Sequence, residues 1–255
     1  MTVQIVPVPC LRDNYAYLVK AGDAVAVVDP SEAAPVLAAL AARGWTPTMI
    51  WNTHHHWDHV GGNLALLEAF PALQVLAHVS DAERVPGFTT GLAHGERFAF
   101  GTGEQTHTVE VLFHPGHTLG AISYVIDGHA FTGDTLFGAG CGRVFEGSHT
   151  QMYAALNEIL GGLPDDTQLY FGHEYTAANL RFAQTVEPHN AAIAERQAQL
   201  NGSSVPGTLA QERLSNPFLR CHLPQVQAAA EHHCGETLQS PAEVFAALRQ
   251  WKDTF

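Results

Sequence analysis

The chain has 255 residues, a length that fits one large domain or one domain with a modest extension. Its 12 basic and 25 acidic residues give a formal charge of −13, which argues against nucleic acid as the main partner. No apolar run approaches the length of a membrane span, and the first residues form neither a basic leader nor a long apolar stretch. We therefore expect a cytoplasmic monomer with no membrane partner.

The first part of the chain alternates short apolar strands with helices. Predicted strands cover residues 3–8, 15–19, 24–28, 48–51 and 74–78. A predicted helix is capped by Ser31, continues to residue 42 and ends at Gly44, and a second covers residues 61–70. This part is rich in strands, and helices are expected to cover them.

The same kind of order returns after residue 93. Predicted strands cover residues 97–100, 108–113, 121–126, 130–132 and 168–171, with a helix over 151–160. Two successive strand-rich halves with flanking helices predict an α+β fold, a pair of sheets sandwiched between helices with sites at the strand ends.

From residue 176 onward the pattern becomes helical. Predicted helices cover 176–186 and 190–200, and a last one opens at the sequence Ser240-Pro241-Ala242-Glu243, a capping box with proline at the first helical position. A turn-rich loop, 201–207, lies between them. The chain is thus predicted to divide into a catalytic domain, 1–174, and a small helical domain, 175–255.

A dense group of histidines follows the apolar strand over 48–51. His54 and His56 are two residues apart, so on an extended backbone both side chains project to the same side and can meet one metal ion. Asp58 and His59 follow where a helical pattern begins, and can aim at a second point nearby. The segment therefore predicts ligands for two metals, whereas an accidental or solvated histidine run is the simpler alternative.

Three later residues decide between these interpretations, because metal centres need ligands from several segments. His117, Asp134 and His173 each follow an apolar strand. Taken singly, they could be a surface histidine, a turn residue and a buried structural histidine. In this order after the first group they indicate a binuclear site, in which the carboxylate of Asp134 would bridge two cations and screen their repulsion.

This pattern resembles that of the metallo-β-lactamase superfamily. The resemblance implies a four-layer αββα sandwich in which His54, His56 and His117 hold one metal, Asp58, His59 and His173 hold the other, and Asp134 bridges them. His117 is preferred to His114 because its Pro-Gly-His-Thr sequence resembles the ligand-bearing turn of that superfamily. His55 lies outside the pattern, and Asp29 resembles a residue that orients a metal-bound histidine.

A finer resemblance, to the glyoxalase II family of hydroxyacylglutathione hydrolases, covers nearly the whole chain. It rests on the sequences at 13–17, 28–30, 133–137, 140–143, 172–176, 216–220 and 249–253. It implies hydrolysis of S-2-hydroxyacylglutathione thioesters, with S-D-lactoylglutathione as substrate, by a hydroxide bridging two divalent ions. Zinc is expected, with iron or manganese as alternatives. Asp58 and Asp134 would be the catalytic carboxylates, with Asp58 sharing a proton with the bridging solvent.

The last helix is predicted to bind the substrate tail. Arg249 and Lys252 are three apart, hence on one helix face, and could pair with a glutathione carboxylate; a solvated cationic helix end is the alternative. The resemblance adds Arg143 and Tyr175 as glutathione contacts. Phe145 stands where some members of the family have tyrosine, so one hydroxyl contact is missing.

Other functions remain to be weighed. The same scaffold carries persulfide dioxygenases and other hydrolases, against which the complete ligand set and the C-terminal sequence at 249–253 argue. A catalytically inactive metal-binding or thiol-binding protein is the non-enzyme alternative. Cys141 suggests a nucleophile beside Arg143, but no base is recognisable near it, which favours a structural role.

Overall fold

The computed structural model describes residues 3–255, which form two compact units. The first unit contains residues up to 113 together with 120–133, and the second contains 114–119 and 134–255. These units do not follow the predicted boundary at residue 174, because residues 134–174 belong to the second unit. The division into a catalytic and a helical domain therefore stays a prediction.

The first sheet of the first unit has six strands in the order β1-β2-β3-β4-β5-β6. β1 to β3 are antiparallel neighbours, whereas β3 to β6 run parallel, which requires the chain to cross over the sheet between them. The strands are β1 (Gln4–Cys10), β2 (Asn14–Ala21), β3 (Ala24–Val28), β4 (Met49–Trp51), β5 (Gln74–His78) and β6 (Thr90–Leu92).

Helices cover one face of this sheet. They are α1 (Ala33–Arg43), α2 (Trp57–Val60) and α3 (Asn63–Ala69). Gly44 ends α1 in the left-handed conformation that the sequence predicted for it, with φ 62°. Val36 and Leu40 of α1 and Leu66 of α3 pack on strand residues such as Val27 and Ile50, so this layer is held by apolar burial.

A second set of strands in the first unit packs on the other face. β7 (Arg97–Phe100), β8 (His107–Phe113), β9 (Ile122–Ile126) and β10 (His129–Gly133) are successive antiparallel neighbours. The fully buried Trp51 stacks on Tyr124 at 5.2 Å between ring centroids and meets Phe100 edge-on at 4.8 Å. Aromatic packing therefore fills the space between the two sheets, as a sandwich requires.

The second unit is mainly helical. Its strands are β11 (Leu136–Phe137), β12 (Gly140–Cys141), β13 (Gln168–Phe171) and β14 (Gly207–Thr208). Its helices are α4 (His149–Ala154), α5 (Thr176–Val186), α6 (Ala191–Gln199), α7 (Leu209–Ser215), α8 (Pro224–Cys234) and α9 (Pro241–Thr254). Ser240 caps α9 by accepting from the Glu243 amide, whereas the Glu243 carboxylate accepts from Gln239 rather than from the cap residue.

Two predicted helices differ in the structure. The helix predicted over 151–160 is α4 followed by a π-helical turn at 155–159, and the one predicted over 61–70 begins at Asn63. Across residues 3–255, the structure contains no helix with both the length and the apolarity to cross a bilayer.

Candidate metal and substrate site

The first ligand set consists of His54, His56, Asp58 and His59, all in the first unit. His54 follows β4 after two residues, and His56 is the extended residue that precedes α2. The two rings lie on the same side of this short segment, with His54 Nε2 and His56 Nδ1 3.1 Å apart. The two rings therefore lie close together as their spacing predicted, although the segment bends at Thr53 and His54 and is not a strand.

Asp58 and His59 lie on α2, where two other side chains fix them. His59 is fully buried, and its Nδ1 lies 3.0 Å from Oδ2 of Asp29. The amide of Asn14 donates to the backbone oxygen of Asp58 and to its Oδ2. Oδ2 of Asp58 lies 3.9 Å from Nε2 of His59. A hydrogen bond at Nδ1 selects the tautomer whose Nε2 carries a lone pair, which is the form a metal ligand needs.

Asp29 orients this set. Its Oδ1 accepts from the Thr53 amide, and its Oδ2 accepts from the Thr53 hydroxyl in addition to facing His59. The ligand atoms of Asp29, His54 and His59 lie within 4.8 Å of one another. Because both oxygens of Asp29 are already engaged, the carboxylate fits the orienting role that its sequence suggested better than that of a ligand.

The second ligand set consists of His117, Asp134 and His173, all buried in the second unit. His117 Nε2 lies 3.6 Å and His173 Nε2 lies 3.2 Å from the same oxygen, Oδ2 of Asp134. Two imidazoles thus face one carboxylate, the arrangement expected of a bridging ligand. His114, the competing histidine, instead pairs with the hydroxyl of Thr135.

Neighbouring groups hold the second set in place. His117 Nδ1 donates to the backbone oxygen of Arg143 at 2.8 Å, which leaves Nε2 as its lone-pair nitrogen. His173 stacks on Tyr175 with ring centroids 4.8 Å apart and planes within 5°. A side chain at Gly142 would place its Cβ 1.9 Å from the backbone oxygen of Asp134, so only glycine fits there.

The second unit also contains a cavity of about 400 Å³ next to this set. His117 and Asp134 line it together with all four residues predicted to contact the substrate, and Phe137, Cys141, Gly142, Phe145, Ala178 and Asn179 complete its walls. The predicted substrate contacts are Arg143, Tyr175, Arg249 and Lys252. The cavity therefore places cationic and aromatic side chains beside two of the predicted ligands.

The three cations of this cavity differ in their surroundings. Arg249 is buried and donates to the Cys141 backbone oxygen at 2.9 Å and to Asp253 at 3.1 Å. The side chain of Arg143 is 64% exposed, with its Nε 3.6 Å from the same Asp253 oxygen. No ion pair among residues 3–255 involves Lys252, and its Nζ lies 5.2 Å from the Phe182 ring.

Ionisation in the cavity follows from burial. Burial, and after it the guanidinium of Arg249, lowers the pKa of Lys252 from 10.5 to about 8. Burial raises the pKa of the Cys141 thiol, which the neighbouring Arg249 only partly offsets. The thiol therefore stays protonated, which supports a structural role for Cys141.

Two family models together match nearly the whole chain. The metallo-beta-lactamase superfamily model matches residues 11–173, and the model of the hydroxyacylglutathione hydrolase C-terminus matches residues 174–255. A hydroxyacylglutathione hydrolase from Alkalilimnicola ehrlichii is 46% identical, over 98% of each chain. One from Gloeobacter violaceus is 48% identical, over 96% of this chain and 97% of that one.

The chain belongs to the hydroxyacylglutathione hydrolase family. Its fold is that of the metallo-β-lactamase superfamily, so the predicted αββα fold class with a C-terminal helical region is confirmed. Among solved structures, ETHE1 from Myxococcus xanthus is 25% identical with a TM-score of 0.66, covering 100% of this chain and 99% of that one. TTHA1623, solved in a di-iron-bound form, is 26% identical with a TM-score of 0.63, over 84% of this chain and all of that one.

Family membership implies that this enzyme binds divalent metal ions, and the donor chemistry fits them. Imidazole and carboxylate groups are ligands that zinc, iron and manganese accept. His59 and His117 each have Nδ1 fixed by an acceptor, the usual support for a metal-bound histidine. Three residues that we did not single out from the sequence serve this site: Asn14, Gly142 and Asp253. Their roles depend on tertiary contacts and have no signature in spacing.

Proposed function

We propose that the chain hydrolyses S-2-hydroxyacylglutathione thioesters, with S-D-lactoylglutathione as its substrate, giving D-lactate and glutathione. The observation that carries this proposal is the cavity in which Arg143, Tyr175 and Lys252 share walls with His117 and Asp134. A cationic, partly aromatic recess beside metal-binding groups suits an anionic thioester. The relatives named hydroxyacylglutathione hydrolase over almost the full chain support the same substrate class.

The proposed metal centre contains two divalent ions, most simply zinc, with iron or manganese as alternatives. His54, His56 and His117 would hold one ion, Asp58, His59 and His173 the other, and Asp134 both. When bound, such ions supply Lewis acidity and a water molecule of lowered pKa. A di-iron form exists for the related TTHA1623, which keeps iron among the candidates.

The protein's own groups have distinct tasks in this proposal. Asp58 is the proton acceptor, because Asn14 fixes its Oδ2 and its side chain remains 39% exposed, so that it can reach solvent. Nε2 of His117 and Nε2 of His173 both face Oδ2 of Asp134, so the three side chains are placed to serve one metal centre. The attacking oxygen would come from water at the metal centre and the glutathione thiolate would leave, so the reaction needs no serine nucleophile.

The substrate tail is proposed to bind at Lys252. Its ammonium is half desolvated and has no carboxylate within ion-pairing distance among the described residues, so a glutathione carboxylate would supply the missing counter-charge. Arg143 and Tyr175 line the same cavity and remain proposed contacts. Arg249 also lines it, although both of its terminal nitrogens already bind groups of the protein.

The test follows the ultraviolet absorbance of the thioester in S-D-lactoylglutathione, with metal-replete and chelated enzyme. Metal-dependent loss of absorbance is expected, and a D-lactoyl thioester of a small uncharged thiol should react with a much higher KM. Absence of metal-dependent hydrolysis would refute the proposal. Oxygen uptake with glutathione persulfide would instead support the dioxygenase alternative, and binding without turnover an inactive protein. Light scattering tests the proposed monomer, and cell fractionation tests the proposed cytoplasmic location.

A further inference from the structure

Arg249 makes contacts that binding a substrate tail does not require. It extends from α9, is only 3% exposed, and lies with its guanidinium 5.3 Å from the ring of Phe218. One terminal nitrogen donates to the backbone oxygen of Cys141, and the other donates to Asp253. The side chain is therefore fixed before any ligand arrives, and its shorter hydrogen bond, at 2.9 Å, ends on β12.

The Cys141 carbonyl belongs to a short segment, residues 141–143, which we call the wall segment because it lines the cavity. This segment holds the second ligand set directly. The backbone oxygen of Arg143 accepts from His117 Nδ1 at 2.8 Å. Gly142 lies so close to the ligands that a Cβ there would be 1.9 Å from the Asp134 oxygen and 2.9 Å from His117 Nδ1.

A chain of contacts within a single unit therefore links α9 to the ligands. Asp253 orients the guanidinium of Arg249, which holds the Cys141 carbonyl. The wall segment in turn fixes the His117 ring. A displacement at Cys141 would be passed along the chain to Arg143 and would change the length of its hydrogen bond to His117.

We infer that Arg249 is a positioning residue for the metal ligands His117 and Asp134, acting through the carbonyl of Cys141 and the wall segment. This inference rests on the proposed metal-binding role of His117. It assigns Arg249 a task different from that of Lys252, the other cation of α9, which points into the same cavity without a protein partner. Loss of Arg249 should weaken metal binding, whereas loss of Lys252 should weaken substrate binding.

The test measures metal retention directly, as metal bound per chain during titration with a chelator. Arg249→Met should lose metal at about tenfold lower chelator concentration, at the low end of the 10- to 100-fold cost of removing an outer partner of a ligand. Arg249→Lys, which keeps one donor for the Cys141 carbonyl, should recover part of that retention. Kinetically, Arg249→Met should lower kcat at a given metal concentration.

Three further variants serve as controls. Lys252→Met should raise KM and retain metal as the wild type does. Arg143→Ala should also retain metal, because only the backbone oxygen of Arg143 holds His117 and its side chain is mostly exposed. His117→Asn should lose metal outright. If His117→Asn retained both metals, the proposed centre would be wrong, and the inference about Arg249 would fall with it.

If His117→Asn loses metal while Arg249→Met retains it and only raises KM, Arg249 is a substrate contact and the inference is overturned. Circular dichroism and thermal melting of the metal-free proteins establish that each variant is folded. Should Arg249→Met not fold, Asp253→Asn replaces it, since it removes the carboxylate that orients the guanidinium while keeping the side chain. Asp253→Asn should show a smaller loss of metal retention, and unchanged retention would refute the inference.

Discussion

The lowered pKa of Lys252 should appear in the pH dependence of catalysis. With a pKa of about 8, the ammonium is about 90% protonated at pH 7 and about 10% protonated at pH 9. A charge-assisted hydrogen bond contributes about 1.5 to 3 kcal/mol, so the neutral amine should bind a carboxylate tail at least tenfold more weakly. Because kcat/KM reports groups of the free enzyme, it should fall about five- to tenfold between pH 7 and pH 9.

The assay compares kcat/KM for S-D-lactoylglutathione across this range in three proteins, corrected for spontaneous thioester hydrolysis. Lys252→Arg keeps the charge with a pKa above about 12, so its alkaline decline should disappear while binding at pH 7 persists. The kcat/KM of Lys252→Met should be low and should not change with pH over this range. A decline of equal size and midpoint in Lys252→Arg would show that another group titrates, and a flat wild-type profile would refute the role of the ammonium.

The remaining predictions concern the ligands and the core. Asp134→Ala should remove both metals and all activity, measured by metal analysis and thioester assay; retention of two metals would contradict its bridging role. Asp29→Asn should weaken metal retention about 10- to 100-fold, because it removes an acceptor from His59. Gly142→Ala should lower metal retention more than Gly162→Ala, whose Cβ would meet nothing within 4 Å. Trp51→Ala should destabilise the fold by about 3 to 5 kcal/mol in urea denaturation, and a loss below about 1 kcal/mol would contradict its place in the core.

Much of the fold could be predicted because its strands are apolar and are separated by turn residues. The strands at 24–28, 74–78, 97–100 and 168–171 have the predicted bounds, as does α5. The short strands β6, β11, β12 and β14 were not predicted. Each has only two or three residues, which is too few for a periodic pattern. Such short strands form because neighbouring strands pair with them. The helices α7 and α8 were missed as well, since α7 has only seven residues and α8 is weakly amphipathic.

In the candidate site, too, the features that depend on tertiary contacts could not be predicted from the sequence. His54 and His56 could be paired from their spacing, whereas the bridging role of Asp134 stays a prediction. Sequence spacing could not show that Arg249 is buried against Cys141 while Lys252 is open to the cavity, because both lie on one helix face. That difference arises from β12, more than one hundred residues earlier in the chain. Tertiary contact separates two cations that the sequence presents as equivalent.

The most direct test of the account is a titration of metal into the metal-free enzyme, with bound metal and hydrolysis of S-D-lactoylglutathione measured on the same samples. The proposed centre predicts that binding saturates at two ions per chain and that full activity requires both. Saturation at a single ion with full hydrolytic activity would contradict the binuclear centre, and hydrolysis by the metal-free enzyme would contradict the metal-dependent chemistry altogether.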